Sequence, residues 1–269
     1  MTMSRIARAF DRLRQQRRPG LVTYIMAGDP DLARSREILE ALDRAGADVL
    51  EVGVPFSDPM ADGPVIQRAG ERALAAGVTL EGVLDMVAQV RPGIRAPIVL
   101  FSYANPLYRM GFDRFATRAA AAGVDGVLAL DLPLEESANL RSCLRNAGLD
   151  MIFLLSPTTS PERMRRAGEL GSGFVYAISR LGVTGARDAL SLGIQDLVAR
   201  IREATTMPVA VGFGVSTAAH VAEICRWADA AVVGSALVKV IEQHGASPDL
   251  IARVAQFVRQ LRGDEAAQD

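Results

Sequence analysis

The chain has 269 residues, 49% apolar and 23% charged, the balance of a globular protein. Its length suits one large unit, so a single domain over 1–269 is expected. Thirty basic and 31 acidic residues leave a formal net charge of −1, which gives neither nucleic acid nor an anionic membrane a reason to bind. No apolar run reaches the ~20 residues of a membrane-spanning helix. Two cysteines, Cys143 and Cys225, fit neither a metal cluster nor a disulfide framework and read as buried thiols. A cytoplasmic protein is the expectation.

The basic segment 1–20 lacks the unbroken apolar core and small-residue cleavage site of a secretory signal. Ile6, Phe10 and Leu13 recur there at helical spacing and predict an amphipathic helix lying on the domain. Beyond it, short apolar runs alternate with segments of helical period. Strands are predicted at 21–26, 48–53, 98–101, 126–130, 151–155, 173–177, 209–212 and 230–233. Most are continuous apolar runs, as in parallel strands buried on both faces. Apolar stripes predict helices through Ile38, Leu39 and Leu42, and through Val83, Leu84, Val87 and Val90. Further stripes follow Leu140, Cys143 and Leu144, then Ile194, Leu197, Val198 and Ile201, and finally Leu250, Ile251, Val254, Phe257 and Leu261. Eight strands alternating with helices fit a (β/α)8 TIM barrel, which takes ~250 residues. An open doubly wound sheet is the alternative that periodicity alone leaves standing. The polar tail GDEAAQD is expected to fray.

Two segments break the rhythm: 55–78 after the second strand and 179–193 after the sixth. The loops that follow barrel strands build the active face, so these two long loops are candidate lids. Plain surface insertion is the other reading.

Glu51 stands inside an otherwise apolar strand, where burying an ionised carboxylate without a partner costs several kcal/mol. It is therefore paired with a core cation, protonated, or aimed into a polar cavity as a general acid or base. Asp62 follows in the first candidate lid, in an Asp-Gly turn. Two acids in different environments form a pattern that separates acid and base roles. Asp131 lies at a strand end, as an active-face residue or a helix start, and Asp29-Pro30 reads mainly as a cap.

Glycines follow three late strands: Gly182 to Gly185, Gly212 to Gly214, and Gly234-Ser235. Barrels hold phosphate with backbone N–H groups after strands seven and eight and at a short helix N-terminus. A phosphorylated small molecule is thus the expected ligand, and the absence of a Walker motif disfavours a nucleoside triphosphate. Tyr24, Phe101, Tyr103, Tyr176 and Phe213 fall at or near strand ends. Each alone reads as core filling; as a set they wall a pocket for a flat apolar ring. His220 and His244 have no metal-ligand spacing, and no metal site is expected.

The run from Glu51 through Val-Gly-Val-Pro-Phe-Ser-Asp-Pro-Met-Ala to Asp62-Gly-Pro closely resembles the signature of tryptophan synthase α subunits. The resemblance continues through Ala27 to Pro30, Tyr103 to Pro106, Asp131 to Pro133, Ser179 to Gly185, Gly212 to Ser216 and Gly234 to Lys239. It implies retro-aldol cleavage of indole-3-glycerol phosphate to indole and glyceraldehyde 3-phosphate, with no cofactor in this subunit. Glu51 matches the catalytic glutamate, and Asp62 the aspartate that holds the indole N–H. Tyr176 matches a tyrosine beside the pocket, and Thr184 the lid threonine that engages Asp62. Gly185, Gly214, Gly234 and Ser235 match the phosphate cradle. Tyr24 and Phe101 stand where the family usually has apolar pocket residues, Tyr24 often being Phe. The resemblance also implies docking on a pyridoxal-phosphate β subunit in an αββα heterotetramer, with 55–62 and the Asn105-Pro106 region in the contact. A stand-alone indole-releasing lyase and an inactive barrel kept as allosteric partner are the alternatives.

Overall fold

The structure is a computed structural model that describes residues 3–178, 187–212 and 214–264, with backbone alone for 187–192. In chain order the first elements are α1 (Arg5–Gln15), β1 (Gly20–Met26), α2 (Leu32–Arg44) and β2 (Val49–Gly53). Two helices, α3 (Pro64–Ala75) and α4 (Leu80–Val90), precede β3 (Ile98–Ser102). Two more, α5 (Ala104–Met110) and α6 (Phe112–Ala122), precede β4 (Gly126–Ala129). Next come α7 (Ala138–Asn146), β5 (Asp150–Met151), β6 (Phe153–Leu155), α8 (Pro161–Leu170) and β7 (Val175–Ile178). The last are α9 (Arg187–Ala204), β8 (Val209–Gly212), α10 (Ala218–Ile224), β9 (Ala230–Val233), α11 (Ser235–His244) and α12 (Leu250–Arg262).

The strands pair in the order β5-β4-β3-β2-β1-β9-β8-β7-β6, and every pairing is parallel. The two ends of that order, β5 and β6, are consecutive in the chain with only Ile152 between them. The Ile152 N–H reaches the Val127 carbonyl at 2.9 Å, so β5 and β6 are halves of one stave. The strand expected at 151–155 is therefore bent, its first half pairing with β4 and its second with β7. The sheet closes into an eight-stave (β/α)8 barrel, which removes the open-sheet alternative.

Side-chain parity explains why the strands read as unbroken apolar runs. Val22, Val49, Val99, Leu128, Ile152, Phe174, Ala210 and Ala230 form one cluster inside the barrel. Their chain neighbours Leu21, Leu50, Ile98, Val127, Met151, Val175, Val209 and Ala231 form the other, against the helix ring. Alternate residues of a strand face opposite sides, and here both sides are apolar. Helix α1 closes the barrel floor, because Ile6, Phe10 and Leu13 join the interior cluster and Phe10 meets Phe174 at 5.4 Å. Ser4 caps its first turn, accepting from Ala7 N–H at 3.1 Å. The predicted N-terminal helix is thus a plug, not a surface strap.

The same floor is knit by aspartates that immediately precede strands. Asp48, Asp125 and Asp229 accept the N–H of Leu21 (2.9 Å), Ile98 (2.8 Å) and Val209 (2.8 Å), each on the neighbouring stave. Arg18, Arg91 and Arg202 neutralise them in turn. Polar residues at this end of a barrel serve stability, which leaves the opposite mouth for chemistry.

Several expectations shift in detail. Of the long segment after β2, residues 64–75 are helical, since Pro64 is placed at the helix start where its missing N–H costs nothing; the irregular lid is the stretch between Gly53 and Pro64. Of the segment after the sixth predicted strand, 187–193 belongs to α9 and 179–186 lies outside the described residues. Cys143 and Cys225 are free and only half-buried, and burial still raises the Cys225 thiol to about 11. In α12 the buried stripe is Leu250, Val254, Val258 and Leu261, with Ile251 and Phe257 at its margin.

Asp29 is not the helix cap: Asp31 is, accepting from Arg34 N–H at 2.7 Å. Asp29 is buried and takes a bidentate pair from Arg72 of α3, both bonds 2.8 Å. Arg72 also reaches Glu242 of α11 at 3.1 Å, and Arg68 joins the same carboxylate at 2.7 Å. The network ties the helix behind the lid to the helix that follows β9. Asp131 serves a helix start, but that of α5, accepting the Ala104 N–H at 2.6 Å.

Candidate active site

Parity carries Glu51 to the interior. Val49 faces inward, so Glu51 and Gly53 follow it upward on the same face, toward the barrel mouth. Glu51 is fully buried, and among the described residues neither carboxylate oxygen has a hydrogen-bond partner. Desolvation alone raises its carboxyl from 4.5 to about 8. Among the described residues no arginine or lysine neutralises it, which weighs against the structural ion pair. Burial with no partner makes the neutral acid the stable form at pH 7.

Aromatic rings surround this carboxyl. Tyr24 is the register partner of Glu51 across β1 and β2. Its ring meets Phe101 edge-on at 5.3 Å, and Phe101 meets Tyr176 the same way at 6.5 Å. Two glycines that sequence reasoning did not assign to this role make the space. A methyl group on Gly53 would fall 2.2 Å from the Tyr24 hydroxyl, and one on Gly212 would fall 2.6 Å from that of Tyr176. Both stand two residues beyond an inward-facing position, so the two-residue period is the signal that finds them. Gly53→Ala is expected to displace the Tyr24 ring and lower stability by about 1–3 kcal/mol. Urea denaturation measures the loss, and an unchanged midpoint contradicts this packing.

Asp62 comes from the lid. Tyr103, at the end of β3, accepts the Ala61 N–H at 3.0 Å and shares a hydrogen bond with the Asp62 carboxyl. Partial burial raises Asp62 from 3.8 to about 6, while the Tyr103 hydroxyl pulls it back down. Burial also lifts the Tyr103 phenol to about 12. Tyr103 therefore fastens the lid and steadies its acid, and its ring meets Phe56 at 5.1 Å. Between about pH 6 and 8 the two acids hold opposite states, Glu51 protonated and Asp62 ionised.

On the other side, β8 and β9 pair through Gly212 and Val232, so the residues after them emerge together. Gly214 has φ +51°, a backbone conformation that favours glycine, with open space around it. Gly234 is the N-cap of α11, and Ser235 is its first, exposed residue, not the cap itself. The first turn of a helix leaves N–H groups without internal partners and carries positive potential, which suits an anion. Thr184, Gly185 and Phe213 lie outside the described residues. Among the described residues no group of three or more His, Cys, Asp or Glu is arranged to hold a metal, and no single helix is long and apolar enough to cross a membrane.

Fold and site together define a (β/α)8 barrel with a buried carboxyl and an aromatic wall at its mouth, the class of a barrel enzyme. The sequence pattern of tryptophan synthase alpha chains matches residues 10–266. A tryptophan synthase alpha chain of Geobacter sulfurreducens is 52% identical, over 97% of this chain and 98% of its own. The crystal structure of tryptophan synthase subunit alpha from Legionella pneumophila superposes with a TM-score of 0.90 at 37% identity, covering 97% of this chain and 98% of that one. A chain of the tryptophan synthase a2b2 complex from Pyrococcus furiosus gives 0.85 at 40% identity, over 91% and 98%. The chain belongs to the tryptophan synthase alpha chain family and is an enzyme subunit of tryptophan biosynthesis.

Proposed function

We propose that this site cleaves indole-3-glycerol phosphate by a retro-aldol route in which protonated Glu51 delivers a proton to indole C3. The observation that carries the reading is the buried carboxyl of Glu51, which has no hydrogen-bond partner among the described residues. Protonation at C3 places positive charge on the ring nitrogen, and ionised Asp62 holds the N–H and stabilises that charge. The Glu51 carboxylate then takes the proton of the side-chain hydroxyl next to the ring. The carbon–carbon bond breaks, its electron pair restores neutral indole, and the hydroxyl carbon becomes the aldehyde of glyceraldehyde 3-phosphate. Glu51 ends protonated, so the cycle needs no oxidant, metal or cofactor in this chain.

Tyr24, Phe101 and Tyr176 wall the indole in this reading, with Phe213 assigned to the same wall and Thr184 to the closed lid. Gly214, Gly234 and Ser235, with Gly185, receive the phosphate at the α11 N-terminus. The strand order supports the layout: β9, β1 and β2 are consecutive, so a ligand with its phosphate at β9 and its ring at Glu51 lies across Tyr24.

The Pyrococcus furiosus a2b2 complex supports a β-subunit partner for this chain. In this reading the assembly is αββα, pyridoxal phosphate belongs to β alone, and the complex works in the cytoplasm. Exposed Met60 and Tyr108, on the lid and on α5, and a groove of about 430 Å3 whose lining includes Pro55, Phe56, Asn105 and Pro106 support a contact on this face. The test is release of indole and glyceraldehyde 3-phosphate by the purified chain, with and without a β subunit. Slow cleavage that rises sharply with β is expected. Fast cleavage indifferent to β indicates a stand-alone lyase, and no cleavage in either condition an inactive partner.

A further inference from the structure

The Tyr24 hydroxyl is a buried polar group with almost nothing to bond. Tyr24 is 4% exposed, and among the described residues its hydroxyl has one neighbour of hydrogen-bonding type, the Met26 thioether at 4.0 Å. A thioether is a weak acceptor, and that distance is the outer limit for sulfur. Buried hydroxyls normally find partners, and leaving one unmet is destabilising. Tyr103 shows the contrast, its hydroxyl engaged by Ala61 N–H.

The hydroxyl's place is fixed by what surrounds it. It lies against Gly53, where an added methyl would stand 2.2 Å away, two residues beyond Glu51 on the same inward face. The ring crosses over β2 to meet Phe101 of β3. Burial first, and then the charges on Asp62 and Glu51, disfavour loss of the phenolic proton, so the group remains a donor. It stands at the edge of the aromatic slot, against Gly53.

We infer that Tyr24 sets the slot's selectivity among ring-substituted indoles, its hydroxyl donating to a polar substituent on the benzo ring. This rests on the reading of the site given above. Unsubstituted indole has one N–H donor, which Asp62 takes, and no acceptor to offer Tyr24. An indole with a ring hydroxyl supplies the missing acceptor. A hydrogen bond satisfied in a buried slot is worth roughly three- to tenfold in affinity.

The experiment measures dissociation constants of indole and the four benzo-ring hydroxyindoles for the wild-type chain and for Tyr24→Phe, which keeps the ring and removes only the hydroxyl. The expected result is that at least one isomer loses roughly three- to tenfold in affinity relative to indole when Tyr24 becomes Phe. Equal hydroxyindole-to-indole ratios in the two proteins, with indole bound by both, overturn the inference and leave the active-site reading intact. If the wild-type chain binds no indole, the reading of the slot falls and this inference with it.

Discussion

Glu51→Gln is expected to fold, to bind substrate, and to release indole roughly 10²–10⁴-fold more slowly, the usual contribution of a general acid–base group. Gln matches the shape of the neutral acid but carries no transferable proton. The loss therefore falls on kcat, with KM little changed. Steady-state kinetics on indole-3-glycerol phosphate decide it, and near-normal turnover removes Glu51 from the mechanism.

The same variant is expected to be more stable than the wild type, by an amount that grows with pH. Glu51 rises from 4.5 to about 8 on folding. Between those values the folded chain holds a proton that the unfolded chain has released, so wild-type stability falls as pH rises through that window. At about 1.4 kcal/mol per pH unit, the gain from Gln is near zero at pH 4.5. It reaches roughly 3 kcal/mol at pH 7 by the same conversion. A site that costs stability and supplies chemistry is the expected trade-off at an active centre.

Arg72→Met is expected to cost about 3–5 kcal/mol, because it leaves the Asp29 carboxylate buried without its partner. Asp29 is 2% exposed and Arg72 grips both of its oxygens. Replacing both residues, Asp29→Asn with Arg72→Met, recovers part of the loss, since no charge is then stranded. A double-mutant cycle in urea measures the coupling. Additive losses contradict a specific pair. Since Arg72 also bonds Glu242, the single variant loosens the lid helix against α11.

Much of the barrel was legible because parallel strands buried on both faces have a distinctive composition. Val49 to Val52 and Val209 to Val211 announce themselves as continuous apolar runs, and Glu51 stands out against one of them. The bend at Ile152 was not legible, since nothing in Met151 to Leu155 distinguishes a stave that changes partners from one that does not. Helix α3 hid inside an apparent loop because Asp62-Gly63-Pro64 reads as a turn, and only the helical start after it shows that Pro64 begins a helix. The two acids were visible one at a time. Their opposite protonation states depend on burial and on the Tyr103 hydroxyl, which arrives from β3, some forty residues of chain beyond Asp62. Asp29 was misread for the same kind of reason: its partner Arg72 is brought to it by packing, and a local cap was the only role its neighbours in sequence suggested.

The most direct test of the division between the two acids is the pH dependence of kcat/KM for indole release between pH 5 and about 10. Asp62 must be ionised and Glu51 protonated, so the profile is expected to rise through about 6 and fall through about 8. Activity that stays level or keeps climbing well above pH 8 would mean that Glu51 works as a carboxylate from the start, and would contradict its role as the acid that protonates indole.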